Sequence, residues 1–130
     1  MAADPVFAAT PKVGMVQIST ANTGRDGTGT IGTVVTGGAS GSVIKKVRIC
    51  AAVTTTAGVV RLFIDDGTNV RLMQEIIVPA ITPSTTVEAF ARTITYGPDD
   101  VLHLPSNTWL LKASTHNAEA FNVFAFYADL

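Results

Sequence analysis

Val59-Val60-Arg61-Leu62-Phe63-Ile64-Asp65-Asp66-Gly67-Thr68-Asn69-Val70-Arg71-Leu72-Met73 is the stretch from which the fold can be read. Two runs of β-branched, aliphatic and aromatic residues flank a cluster of Asp, Gly and Asn, the residue types that accept the tight backbone of a turn. The segment predicts a β-hairpin. With Ile64 opposite Val70 and Leu62 opposite Leu72, four aliphatic side chains share one face, and Arg61, Phe63, Arg71 and Met73 take the other. A slip of one residue would mix the two faces, which favours this register. The outer face so defined still holds Phe63 and Met73, so a partial cover over it is expected.

Outward from the hairpin the same grammar repeats. β-branched residues dominate, apolar positions alternate, and Gly, Pro or Asn clusters interrupt them at intervals of about ten residues, the pattern of short strands. Strands are predicted over residues 13–20, 31–36, 43–53, 59–65, 70–78, 86–96, 101–104, 108–115 and 121–127. No window has the spacing of a long amphipathic helix. The fold class is therefore all-β, an antiparallel β-sandwich or barrel of eight or nine strands. In the strand predicted over 86–96, Phe90 and Ile94 are expected to supply core. The run Phe121-Asn122-Val123-Phe124-Ala125-Phe126-Tyr127 is apolar on both faces, which marks a central strand or an edge hidden by another subunit.

Residues 1–12 read as an extended N-terminal arm, because Pro5 and Pro11 each remove a donor and bias the preceding residue away from helix. Residues 13–130 then form a single domain, a size at which one hydrophobic core suffices without disulfides. Between residues 20 and 43 lies a Gly-, Thr- and Ser-rich stretch around one predicted strand, expected to be loop and mobile in isolation. No internal repeat is present.

Composition narrows the function. Charged residues make up 15% of the chain and hydrophobic ones 47%, against roughly 25% charged in an average soluble domain. Either a partner covers part of the surface, or hydroxyl-rich strands keep it soluble. The formal net charge is -1 without a basic stripe, so nucleic acid is not an expected partner. No apolar stretch approaches the roughly 20 residues needed to span a bilayer, and Met1-Ala2-Ala3-Asp4-Pro5 lacks the charged and apolar regions of a secretory signal. No membrane partner is expected, and synthesis and retention in the cytoplasm are. The single Cys50 excludes an internal disulfide and, within an apolar run, is expected to be a buried thiol.

Nothing in the sequence assembles into recognisable chemistry, and neither catalytic residues, cofactor nor metal is expected. Gly27-Thr28-Gly29-Thr30-Ile31-Gly32 matches the spacing of a dinucleotide-binding turn, but loop precedes it and a strand-like run follows it, where a strand and a helix are needed. Asp65-Asp66 and Asp99-Asp100 sit in turn sequences, where carboxylates cap backbone amides, and no downstream Glu completes a calcium loop. His103 and His116 are the only imidazoles, which rules out a three-histidine zinc site. His103 is expected to face solvent or a subunit, and His116 to order a turn. Trp109 is either a core anchor or a stacking platform for a sugar.

Several phrases of the second half are familiar together: Gly58-Val59-Val60-Arg61-Leu62-Phe63-Ile64-Asp65-Asp66-Gly67, Ala80-Ile81-Thr82-Pro83-Ser84, Leu104-Pro105-Ser106, and Lys112-Ala113-Ser114-Thr115-His116-Asn117-Ala118-Glu119-Ala120-Phe121-Asn122-Val123. Over about residues 43–130 the chain resembles small proteins encoded among the virion-structure genes of tailed bacteriophages and prophages. The resemblance implies a jelly-roll or related sandwich that decorates or cements a capsid, made in the host cytoplasm and resident in the virion. Its implied partners are the major capsid protein and further copies of itself. Val6 and Phe7 of the arm and Phe63 and Met73 of the hairpin are the expected contact residues. A tail, fibre or head-completion part of the same particle, and a carbohydrate-binding sandwich, are the alternatives.

Overall fold

The computed structural model describes residues 10–97 and 100–130. These form nine strands: β1 (Thr10–Ile18), β2 (Gly32–Thr36), β3 (Ser42–Ala51), β4 (Gly58–Asp65), β5 (Val70–Val78), β6 (Ala91–Thr95), β7 (Leu102–Leu104), β8 (Leu110–Thr115) and β9 (Phe121–Asp129). They pair antiparallel into two sheets. One sheet, in the order β1-β9-β3-β6, has β7 on the same edge of β3 as β6; the other has the order β2-β8-β4-β5. The chain is an all-β sandwich, as its alternation and turn spacing predict.

Alternation decides which side chains meet between the sheets. Ile44, Val47, Ile49 and Val123 point inward from one sheet, and Val60, Leu62 and Leu111 from the other, all fully buried. Each such side chain contributes roughly 1.5–3 kcal/mol of burial. Phe90 lies just before β6 yet belongs to this core, its ring edge-on to Phe121 at 6.3 Å and 84°. The strand predicted over 86–96 is thus shorter than expected, because the Ser84 side chain caps the amides of Thr86 and Val87 in a turn. Where β1 and β2 approach, the sandwich pinches: a Cβ on Gly14 would lie 2.3 Å from the Val34 carbonyl oxygen, so only glycine fits.

The C-terminal run is central. β9 lies between β1 and β3, and its inner face (Phe121, Val123, Ala125) is fully buried while Phe124 and Phe126 point outward and are half-buried. β1 begins at Thr10, where residues 10–12 already pair with 127–129 and Lys12 Nζ meets Asp129 Oδ2 at 2.7 Å. The boundary expected between residues 12 and 13 therefore falls inside a strand. Val6 and Phe7 lie outside the described residues.

The hairpin forms with a different register. Asp65 pairs with Val70, Ile64 with Arg71 and Phe63 with Leu72, one step from the predicted alignment. The reason is the turn: Asp66 accepts from the amides of Thr68 and Asn69, and Asp66 N–H donates to the Asn69 carbonyl, closing a four-residue loop one position tighter on the β4 side. A bulge then shifts the register again, so that Leu62 pairs with Gln74 and Arg61 with Glu75. The bulge turns Met73 toward the core and leaves Val70 and Leu72 on the outer face with Phe63.

Candidate interaction surface

Each sheet has an outer face, and the two differ. On the outside of β4 and β5 runs the segment 19–31, most of it from the first part of the region between residues 20 and 43 expected to be mobile. It is pinned through Asn22, which is buried. Asn22 N–H donates to the Thr115 carbonyl (2.8 Å), its side-chain amide donates to the Thr28 and Thr30 carbonyls (2.9 and 3.0 Å), and its Oδ1 accepts from Gly24 N–H (3.0 Å). Gly27 and Gly29 hold φ of +84° and +82°, and a Cβ on Gly27 would lie 2.7 Å from Val70 Cβ. The glycine spacing serves two close approaches, of Gly27 to Val70 on β5 and of Gly29 to the Asn22 side chain.

Beneath that segment sits Arg61, 1% exposed. Its Nε donates to Glu75 Oε2 at 2.8 Å, one terminal nitrogen donates to the Asn22 carbonyl at 3.1 Å, and the other lies 3.1 Å from His116 Nδ1. Arg25 reaches the same Glu75 oxygen at 2.8 Å. The Arg25 and then the Arg61 guanidinium hold the Glu75 carboxyl below the usual glutamate range. A buried guanidinium is costly unless paired and hydrogen-bonded, and this one satisfies that condition while tying the covering segment to β4 and β5. His116 lies in the bend after β8, where its backbone amide donates to the Val59 carbonyl.

The outer face of β1, β9 and β3 has no such cover among the described residues. Cross-strand partners share a face, so across β1, β9 and β3 run the rows Val13–Phe126–Lys46, Met15–Phe124–Arg48 and Gln17–Asn122–Cys50. Val13 is 59% and Met15 73% exposed. Lys46 Nζ stands 4.9 Å over the Phe126 ring, a cation–π contact. Arg48 donates to Thr93 Oγ1 (3.1 Å) and Gln17 to Asn122 Oδ1 (3.0 Å). Met15, Val16, Gln17, Asn122 and Phe124 line a shallow depression in this face.

The expected contact residues fare differently. Phe63 does face away from the core between the sheets, but it is fully buried within its own chain and cannot serve as an exposed contact. Met73 is half-buried and packs on the core, not on the outer face. Cys50, expected to be buried, is half-buried on the outer face of β3. His103 is exposed, and Trp109 packs partly buried against the core. Among the described residues no group of three or more His, Cys, Asp or Glu is placed to hold a metal. The open face built on Val13 and Met15 was not singled out in the sequence, although Phe124 and Phe126 alternating with Val123 and Ala125 pointed to a strand apolar on both sides.

No family model matches the chain, and no curated protein matches it. Among solved structures it is similar to a pentameric capsid protein isolated from metagenomic phage sequences, seen in two crystal structures, each at 14% identity with a TM-score of 0.40. The alignments cover 89% of this chain and 63% and 64% of those chains, so this chain spans less than two thirds of their length.

Proposed function

We propose that the chain is a structural protein of a tailed-phage virion, a decoration or cement subunit that stabilises an assembled shell by lying against it. The observation behind this proposal is the open outer face of β1 and β9, where Val13 and Met15 are mostly exposed next to Phe124 and Phe126. A contiguous apolar patch of that kind on a small domain marks an interaction site. The resemblance of residues 43–130 to virion-structure proteins points the same way. A subunit that binds only the assembled shell stabilises it by mass action, without chemistry of its own.

The strand orders β1-β9-β3-β6 and β2-β8-β4-β5 support describing the sandwich as a jelly roll, with β6 and β7 sharing the edge position. The partners in this proposal are the major capsid protein and further copies of the chain, Val6 and Phe7 of the arm add a contact, and the site of action is the virion. Quantitative mass spectrometry of purified particles tests it. A copy number that is a simple fraction of the major capsid protein is expected. A few copies per particle would move the chain to the tail or neck, and absence from particles would overturn the virion role.

A further inference from the structure

The outer face of β1, β9, β3 and β6 divides into two halves of different chemistry. On β1 and β9 the outward positions include Val13, Met15, Phe124 and Phe126; on β3 and β6 they include Lys46, Arg48, Thr93 and Thr95. Lys45, at the bulge of β3, is exposed beside them. No strand position on this face is Asp or Glu. Among the described residues, Lys12, Arg25, Arg61 and Lys112 are in ion pairs, whereas Lys45, Lys46, Arg48, Arg71 and Arg92 are in none, and three of these five, Lys45, Lys46 and Arg48, gather on β3. Among the described residues this face therefore presents cations without ion-pair partners next to exposed apolar side chains.

We propose that this face docks on a protein surface of complementary chemistry, an apolar patch flanked by carboxylates, with Val13 and Met15 against the apolar part and Lys46 and Arg48 against the acidic part. The proposal rests on the contact role given above and adds the partner's character. Charge complementarity selects this occupant. A second copy packed symmetrically through the same face would bring cations against cations or against Met15 and Phe124, with no carboxylate at any strand position of either copy's face to meet them. A nucleic acid would use Lys46 and Arg48 but leave the larger, apolar half of the face without a partner.

The test adds purified chain back to particles that lack it and measures co-sedimentation against salt. Wild type is expected to bind more weakly as salt rises. The double variant Lys46→Glu/Arg48→Glu is expected to lose about tenfold or more in affinity together with most of the salt dependence, because rim and face charges act chiefly through long-range complementarity. Met15→Glu should lose about as much, and Ile77→Ser, on the exposed face of β5, should bind as wild type. Unchanged thermal midpoints show that the variants fold. If wild type does not bind particles at all, the virion role falls and this proposal with it. If wild type binds and both face variants bind equally well, the virion role stands and this face is not the docking surface. Three further results would overturn the assignment of partner. One is a drop in oligomer mass on Met15→Glu, which would make the occupant a second copy. Another is binding of wild type, but not the double variant, to a single-stranded oligonucleotide or to phosphatidylserine vesicles. The last is a gain of apolar-dye binding on deleting residues 1–9, which would make the occupant the chain's own N-terminal segment.

Discussion

On the outside of β4 and β5, Phe63, Val70 and Leu72 lie on a face crossed by residues 19–31 of the same chain; on the outside of β1 and β9, Val13, Met15, Phe124 and Phe126 lie uncovered. Both faces are apolar beyond what a solvated sheet requires. What separates them is the polar anchoring of the cover. Arg61, Asn22 and Glu75 fix a Gly-rich segment that has little apolar surface of its own to bury, and nothing among the described residues does the same for the other sheet. An apolar outer face is thus partly covered within the chain in one case, with Ile77 of β5 left exposed, and is uncovered among the described residues in the other.

The largest way to break this comparison is to exchange the fates of two phenylalanines. Phe63→Ala removes a fully buried ring and should destabilise the domain by about 3–5 kcal/mol. Phe124→Ala, on the open face and half-buried, should cost roughly 1 kcal/mol. Urea unfolding measures both. Equal losses would mean that the two faces are equally integral to the fold and that the contrast between them is wrong.

A smaller effect sharpens the role of the cover. Gly29 has φ of +82°, and a Cβ there would lie 2.9 Å from the Asn22 side-chain nitrogen. Gly29→Ala therefore strains the backbone and pushes on the residue that pins the segment, at a cost of about 1–2 kcal/mol. Amide hydrogen exchange should quicken over residues 22–30 while the β1 and β9 amides keep their protection. Uniform quickening would show that the segment unfolds only with the whole domain.

The anchoring also has a pH signature. Because Arg25 and Arg61 lower the Glu75 pKa in the folded state, the stability this carboxylate provides is fully present above its unfolded pKa, roughly 4.3. It is lost as pH falls through the lower folded value, where the unfolded chain binds the proton first. Unfolding midpoints should decline with acidity in that window, and Glu75→Gln should flatten the Glu75 share of the decline. The exchange of residues 22–30 should respond before that of β9. An unaltered pH profile in Glu75→Gln would remove this group from the anchoring.

The elements that could be read from sequence are those whose signal is local. Alternation and turn residues located the strands, with β4 and β5 placed to within one residue, and the two-sided apolar run left β9 as a central strand or a hidden edge, of which the sheet order shows the first. The hairpin register was not legible, because it depends on how Asp66 closes the turn and on a bulge beside Leu62, and either one inverts the facing of every residue beyond it. That is why Phe63 and Met73 were expected together on one surface and are found apart. The Arg61 anchor was hidden for a related reason: its partners Asn22, Glu75 and His116 are 39, 14 and 55 residues away, and an arginine within a strand ordinarily reads as solvated. The open face was not legible in the sequence, because Val13 and Met15 acquire meaning only when β1 is set beside β9.

The smallest predicted effect bears on that open face. Met15→Ser replaces a side chain that is 73% exposed, so little burial is lost and the thermal midpoint should correspond to a change below about 0.5 kcal/mol. Met15 stands opposite Phe124 on a strand at the edge of its sheet, and such a position on a monomer serves association more than folding. The isolated protein should accordingly become more soluble while its affinity for particles falls. Stability and contact would then be separable at one residue, as they cannot be at Phe63, where the chain has already supplied its own cover. A Met15→Ser variant that unfolds as readily as Phe63→Ala would show instead that the β1 face is held by contacts inside the domain.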